Sequence, residues 1–292
     1  MWIVLQVFIN GILIGGMYAL ISIGLTLIFG VIRVINFAHG DFLMVSMYAT
    51  FFLFHYFGLE PYFAIIFVAP FLFLIGLTMQ RFVIKPVLKF PSLIQMFITL
   101  MLSVVLQNVA LLLFKADYRS IQTMGSVLTF GEIRIGVSRL IAFVIAGIIS
   151  FGIYLFLEKT YTGTAISCIA QDRDAARLMG IDVDKMYLLT FGISSACAGI
   201  AGCVLMPIYS VYPSVGVSFV MICFVVVVLG GMGNIIGAMI GGLIIGIVES
   251  FSSYFFTAEL SQPFYFLIFI GVLLFRPQGL MGIVGAEEMG LK

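Results

Sequence analysis

The sequence predicts an all-α polytopic membrane protein, a bundle of about 8–9 transmembrane helices. Composition is the first reason: 63% of the 292 residues are hydrophobic, 9% are charged and the mean hydropathy is +1.24. Soluble domains carry roughly 25% charged residues, so this chain has too few polar side chains to cover a water-facing surface. The second reason is run length: the apolar stretches are about 20 residues long, enough for a helix to cross the bilayer and unlike the short alternating strands of a barrel. The third is that Gly and Asn interrupt these stretches at similar places in the two halves of the chain. A net charge of +1 gives no electrostatic case for nucleic acid.

The N-terminus, MWIVLQVF, lacks a basic region before its apolar residues and reads as the start of the first span rather than a signal peptide. That run, Val4 to Val31, exceeds the length a crossing needs and predicts tilt or a break. Arg33 and Asn36-Phe-Ala-His39-Gly40-Asp41 follow, with Asp41 a candidate helix-start cap. A second run reaches Phe57, and Gly58-Leu-Glu60-Pro61 reads as a turn. The third covers Tyr62 to Gln80; Arg81, Lys85 and Lys89 come next, punctuated by Pro86 and Pro91. The fourth is Ser92 to Phe114. The polar loop 115–139 contains Val127 to Ile135, which predicts a short hairpin turning at Gly131-Glu132. Further runs are Leu140–Leu157, Met186–Ile208, Val215–Leu229, Ile235–Phe256 and the short Pro263–Phe275.

Basic residues orient the bundle. If every run crosses once, Arg33, Arg81, Lys85, Lys89, Lys159, Arg173, Arg177, Lys185, Arg276 and Lys292 share one side, against Lys115, Arg119, Arg134 and Arg139 on the other. This predicts nine crossings, an external N-terminus, a cytoplasmic C-terminus and an external loop 115–139. An eight-crossing version, with one Gly-broken pair re-entrant, is the alternative.

Two segments look alike: Phe29 to Gly40, with Gly30, Asn36, His39 and Gly40, and Leu229 to Gly237, with Gly230, Gly231, Gly233 and Asn234. Paired interruptions of this kind mark inverted-repeat transporters, whose broken helices expose backbone only where it lines a cavity. A tight turn between two spans is the plainer reading of each.

Polar residues within the runs are few: Gln6, Asn10, Gln107, Asn108 and Glu249. A carboxylate at Glu249 should face the bundle interior, as part of a translocation path or as an inter-helix anchor; Asn10 and Gln107 read as helix–helix contacts. Gly237/Gly241 and Gly242/Gly246 give two small-xxx-small pairs suited to close packing within the chain. Cys168, Cys197, Cys203 and Cys223 show no CxxC or metal-ligand spacing and read as small core residues. With two histidines, His39 and His55, no HExxH and no Gly-x-Ser-x-Gly, neither a metal site nor a triad is expected. No phosphate-cradling Gly-x-x-x-x-Gly-Lys-Ser/Thr occurs either, so no nucleotide or other cofactor is expected on this chain.

The loop 158–185 holds about a third of the charged side chains, among them Asp172, Arg173, Asp174, Arg177 and Asp184. Thr164 to Met179 predicts one helix of about four turns, with Asp174 and Arg177 paired at i,i+3. Gly180 would end it in the left-handed conformation, and Asp184 would cap the next span. Within it, Asp174-Ala175-Ala176 followed three residues later by Gly180 resembles the Glu-Ala-Ala-x-x-x-Gly signature of importer permeases that dock on ATPase subunits. Asp stands here for Glu, and the usual downstream Leu-Pro is absent.

Four long segments widen this resemblance: Gly15–Leu43 with INFAHG, Ala170–Phe191, Val227–Ser250 and Leu273–Gly282. Together they are similar to the LivH-type permease of bacterial branched-chain amino acid ABC importers, nearly end to end. The resemblance implies a single transmembrane permease domain over 1–292 in the bacterial cytoplasmic (inner) membrane, with an ABC importer permease fold. It implies four kinds of companion: a second, LivM-like permease, two LivG/LivF-like ATPases that hydrolyse Mg-ATP, an extracytoplasmic substrate-binding protein and the lipid bilayer. It makes Ala170, Asp172, Arg173, Asp174, Ala175, Ala176, Arg177 and Gly180 the ATPase-coupling helix. Asn36, His39, Gly40, Gly230, Gly231, Asn234 and Glu249 are the candidate translocation path. Two rivals remain: an ion-coupled transporter using Glu249, and an intramembrane enzyme using His39 and Asp41.

Overall fold

The computed structural model describes residues 2–121, 127–130, 132–257 and 260–282. Helix α1 (Trp2–Ile32) is apolar on every side and largely buried, which makes it the axis of the bundle. Around it come α2 (His39–Phe57), α3 (Pro61–Met79), α4 (Lys85–Val87), α5 (Ser92–Phe114), α6 (Val137–Lys159), α7 (Tyr161–Gln171), α8 (Arg173–Leu178), α9 (Val183–Leu205), α10 (Val215–Gly230), α11 (Ile235–Phe255) and α12 (Ser261–Phe275). Among the described residues, six helical stretches are long and apolar enough to cross a membrane. α10 and α12, with 16 and 15 residues, span only about 24 and 22 Å at 1.5 Å per residue.

α1 packs on α11 through glycines facing in both directions. A Cβ on Gly11 would lie 2.7 Å from the Ile247 Cα, and one on Gly246 would run into the Gly15 backbone. Gly242 meets Ala19 in the same way, while Gly237 and Gly241 seat α11 on α10 at Gly230 and Val226. Both small-residue pairs of α11 are therefore used within the chain. Without a side-chain layer the two backbones gain close van der Waals packing, the main attraction between helices in lipid. α9 is the second buried helix, packed on α1, α2 and α3. Much of α3, α5 and α6 is exposed apolar surface suited to lipid.

α3 does not stop at Gln80. A π turn over Gln80–Ile84, in which the Lys85 N–H reaches the Gln80 carbonyl, carries the helix on to Val87, so Arg81 and Lys85 ride on an extended span. Lys85 pairs with Asp184 at 2.8 Å and ties this end to the start of α9. The expected hairpin is present: β1 (Val127–Phe130) pairs antiparallel with β2 (Ile133–Gly136), Phe130 opposite Ile133; Gly131 lies outside the described residues. Gln6 accepts from the Arg134 amide at 2.7 Å, which fastens the hairpin to the start of α1. Three cysteines are buried as expected, but Cys168 is exposed on α7.

The α1–α11 contact yields a test. Gly246→Leu drives a side chain into backbone, where overpacking costs at least about 1–3 kcal/mol, and is expected to abolish the monodisperse peak in detergent size-exclusion chromatography. Gly147→Leu is expected to leave that peak intact, because the Gly147 Cβ position on α6 has nothing within 4 Å.

Candidate functional site

The long first run ends in a break. α1 stops at Ile32, Arg33 takes a left-handed φ of 60°, and residues 33–36 run without helix back into the bundle. There His39 Nε2 donates to the Ile21 carbonyl at 3.0 Å, about 16 Å back from the end of α1 at 1.5 Å per residue. α2 therefore begins at mid-depth, and the crossing is half irregular chain and half helix.

Irregular backbone among apolar residues needs partners, and it finds them. Thr99 Oγ1 on α5 donates to the Ile35 carbonyl at 2.8 Å and accepts from the Phe37 amide at 3.4 Å. Asn36 Oδ1 accepts from the Ala38 amide at 3.1 Å. Asn36 and His39 are fully buried, and their remaining nitrogens, Nδ2 and Nδ1, have no partner among the described residues. Ser194 Oγ, donating to the Gly24 carbonyl at 2.6 Å, brings α9 to the same level.

Asp41 does not cap α2. Its N-cap is Ala38, and the Asp41 side chain, 1% exposed, turns instead to α5. Gln107 Nε2 donates to Asp41 Oδ1 at 3.1 Å and to Ser103 Oγ at 2.9 Å. The sequence offered Asp41 as a cap and Gln107 as a helix–helix contact and did not single out Ser103; nothing in it pairs Asp41 with Gln107, 66 residues apart.

The start of α10 faces the start of α2. A Cβ on Gly40 would run into the Gly216 carbonyl oxygen, and one on Gly216 would lie 2.6 Å from Gly40 backbone, so the two helix N-termini touch with no side chain between them. The chain leading into α10 is irregular too, and Val211 bonds Arg119 of the 115–121 loop in both directions, at 3.0 and 2.8 Å. The counterpart of the first break is thus 206–214.

Residues 230–234 form the plain turn between α10 and α11, with Gly233 seated on Gly30. That turn is plugged by chain from beyond α12. Leu280 and Met281 amides donate to the Leu229 and Gly230 carbonyls at 2.8 and 3.0 Å, and Asn234 Nδ2 donates to the Met281 carbonyl at 2.9 Å. Glu249 lies toward the other end of α1, next to Ser250, whose Oγ donates to the Val7 carbonyl. Tyr18 meets the Glu249 carboxylate and Tyr209 and Tyr265 flank it, while Oε2 has no partner among the described residues. The candidate path residues therefore occupy three places: Asn36, His39 and Gly40 at mid-depth, Gly230, Gly231 and Asn234 at one end, and Glu249 toward the other.

The charged loop is two helices, not one. Asp172 leaves helical geometry and its carboxylate accepts from the Asp174 and Ala175 amides at 2.9 and 3.0 Å, starting α8 afresh. An N-capping aspartate competes with helix continuation, which periodicity alone did not reveal. Gly180 is left-handed as expected, φ 82°, and Ile181 N–H returns to the Ala176 carbonyl. Asp182 rather than Asp184 caps α9, accepting from the Lys185 amide, and Asp184 is free for Lys85. Asp174 and Arg177 are 3.9 Å apart and exposed, a pair worth little in water. α8 buries Ala176 alone, while Leu178 and Met179 are 90% and 82% exposed at its tip. Beneath it, Arg33 Nη2 donates to the Ala170 carbonyl of α7 at 3.4 Å, joining this projection to the broken segment.

A family profile described as branched-chain amino acid transport system / permease component matches residues 7–275. The chain belongs to this family. The permease is 33% identical to the Pseudomonas aeruginosa high-affinity branched-chain amino acid transport system permease protein BraD, over 98% of both chains. It is 32% identical to LivH of Salmonella typhimurium, over 98% of this chain and 97% of that one. The probable LivH of Methanocaldococcus jannaschii is 30% identical over 94% of the permease and 91% of the relative. No solved structure matches. Membership and the apolar helices make it a multi-pass membrane transport subunit.

The Thr99 hydroxyl is the support of the broken segment that can be removed most cleanly. Thr99→Val leaves the Ile35 carbonyl and Phe37 amide unpaired in an apolar interior, a cost of about 1–3 kcal/mol for each stranded group, and a clear fall in the detergent melting temperature is expected. Thr78→Val, whose exposed hydroxyl bonds only Leu74 of its own helix, is expected to leave it unchanged.

Proposed function

We propose that the permease carries leucine, isoleucine and valine, or a closely related small zwitterion, inward across the cytoplasmic membrane by alternating access driven by separate ATPases. The names of its relatives support the cargo, and one structural observation supports the drive: an exposed, charged projection, α8, bonded at its root to the irregular half of a broken crossing. In this reading loop 158–185 and the C-terminus are cytoplasmic and the N-terminus and loop 115–139 external. The companions are a second LivM-like permease, two LivG/LivF-like ATPases holding Mg-ATP, and an extracytoplasmic binding protein. α8 seats in an ATPase cleft through Leu178 and Met179, with Arg173, Asp174 and Arg177 around them.

When ATP closes the two ATPases, α8 and α7 move together. Arg33 passes the displacement to residues 33–38, which lack helical bonds of their own, and the Gly40–Gly216 contact separates. Solute released by the binding protein enters from outside, and hydrolysis restores the contact. A weak site along this route serves throughput better than a tight one.

Asp174→Arg and Gly180→Val are expected to abolish uptake by the reconstituted complex while the protein stays in the membrane. The first reverses charge at the ATPase contact; the second forces a β-branched residue into φ 82°. Unchanged uptake and unchanged stimulation of ATP hydrolysis in both variants would refute the drive. The unpartnered oxygen of Glu249 favours one rival, an ion-coupled carrier. That reading requires Glu249→Gln to stop transport and ATP depletion at a held ion gradient to leave it running; the opposite pattern is expected.

A further inference from the structure

A cavity of about 290 Å³ opens where α5, the 115–121 loop and the entry to α10 meet, lined by Gln107, Asn108, Leu111, Tyr118, Tyr212 and Ser214. Its size sits at the small end of ligand clefts, about 300 Å³. It adjoins the mid-depth constriction, because Gln107 bonds Asp41 and the Asp41 amide lies against Gly216.

The Gln107 amide is oriented from behind. Both hydrogens of Nε2 are taken, one by Asp41 and one by Ser103. With the nitrogen spent on Asp41 and Ser103, the carbonyl oxygen is the atom left for the cavity. Asn108 is held with less: one Nδ2 hydrogen goes to the Val104 carbonyl at 2.8 Å, leaving Oδ1 as an acceptor beside the second N–H. The lining thus carries amide acceptors on α5. It also carries hydroxyls on Tyr118, Tyr212 and Ser214, the last an N-cap residue whose side chain makes no capping bond. Leu111 is its aliphatic residue.

From this arrangement we infer that the cavity is a transit site for an α-amino acid zwitterion, holding the ammonium on the Gln107 and Asn108 carbonyls, the carboxylate on the hydroxyls and an aliphatic side chain against Leu111. The inference rests on the transport reading above and names where the cargo pauses before the constriction. The buried Asp41 is then a positioning residue: it never touches the solute, and the bond it accepts from Nε2 keeps the Gln107 oxygen turned outward.

The complete complex in liposomes, loaded with Mg-ATP and supplied with leucine-charged binding protein, tests this. Gln107→Leu and Asn108→Leu are each expected to lower leucine accumulated per ATP hydrolysed about ten-fold, the effect of removing a hydrogen bond to a charged group. Asn108→Leu matters most, since it leaves Asp41 paired and the fold undisturbed. An unchanged ratio in Asn108→Leu overturns the site. A second measurement isolates the ammonium. With Cys168→Ser and Ala116→Cys in the cavity wall, millimolar leucine is expected to slow maleimide labelling and 4-methylpentanoate, which lacks the amine, is not; equal protection by both, or by neither, overturns the assignment. A wild-type complex that shows no ATP-dependent amino-acid uptake refutes the transport reading itself, whereas an active wild type with indifferent variants refutes only the site.

Discussion

Backbone polarity within an apolar bundle is the constraint on which this structure depends. Residues 33–36 lie outside any helix, and each amide or carbonyl left unpaired there would cost several kcal/mol. The chain meets this demand with Thr99, the Asn36 side chain and the His39 amide, which donates to the Asn36 carbonyl; Gly40 then fits closely on Gly216. Once that segment is held, α2 must start at mid-depth, α10 must start against it, and α5 must stand where its polar face can serve both.

The glycine contacts act on a different part of the architecture. α1 lies against α11 with backbone meeting backbone along its N-terminal half, whereas its other half borders the break. That other half is also touched by backbone, at Ser194 and Gly233, but it leads into chain held by a few side-chain hydrogen bonds. Under the proposed drive, motion entering at α7 and α8 reaches this segment first through Arg33.

Much of this was legible in the sequence. Apolar runs located every long helix, Gly180 and the 127–136 hairpin followed from turn chemistry, and the paired glycines of α11 announced close packing. What escaped reading was set by tertiary partners. Asp41 looked like a cap because helix starts attract acids; Gln107 and Ser103, brought near by folding, claimed it instead. Thr164 to Met179 had helical spacing, yet Asp172 captured two amides and broke it. The second interruption was sought at the glycines of 230–234, while the irregular chain facing Gly40 is 206–214, whose signal is two prolines and two tyrosines.

The plug at the α10–α11 corner sets the order in which the chain can be finished. The Leu229 and Gly230 carbonyls and the Asn234 amide take their partners from residues 280 and 281, and the Asn234–Met281 bond alone spans 47 positions. During synthesis from the N-terminus, that corner stays open while α12 is being made. It closes only when residues 280 and 281 emerge, so the α10–α11 turn is stitched shut after the last described helix rather than when its own two helices are complete.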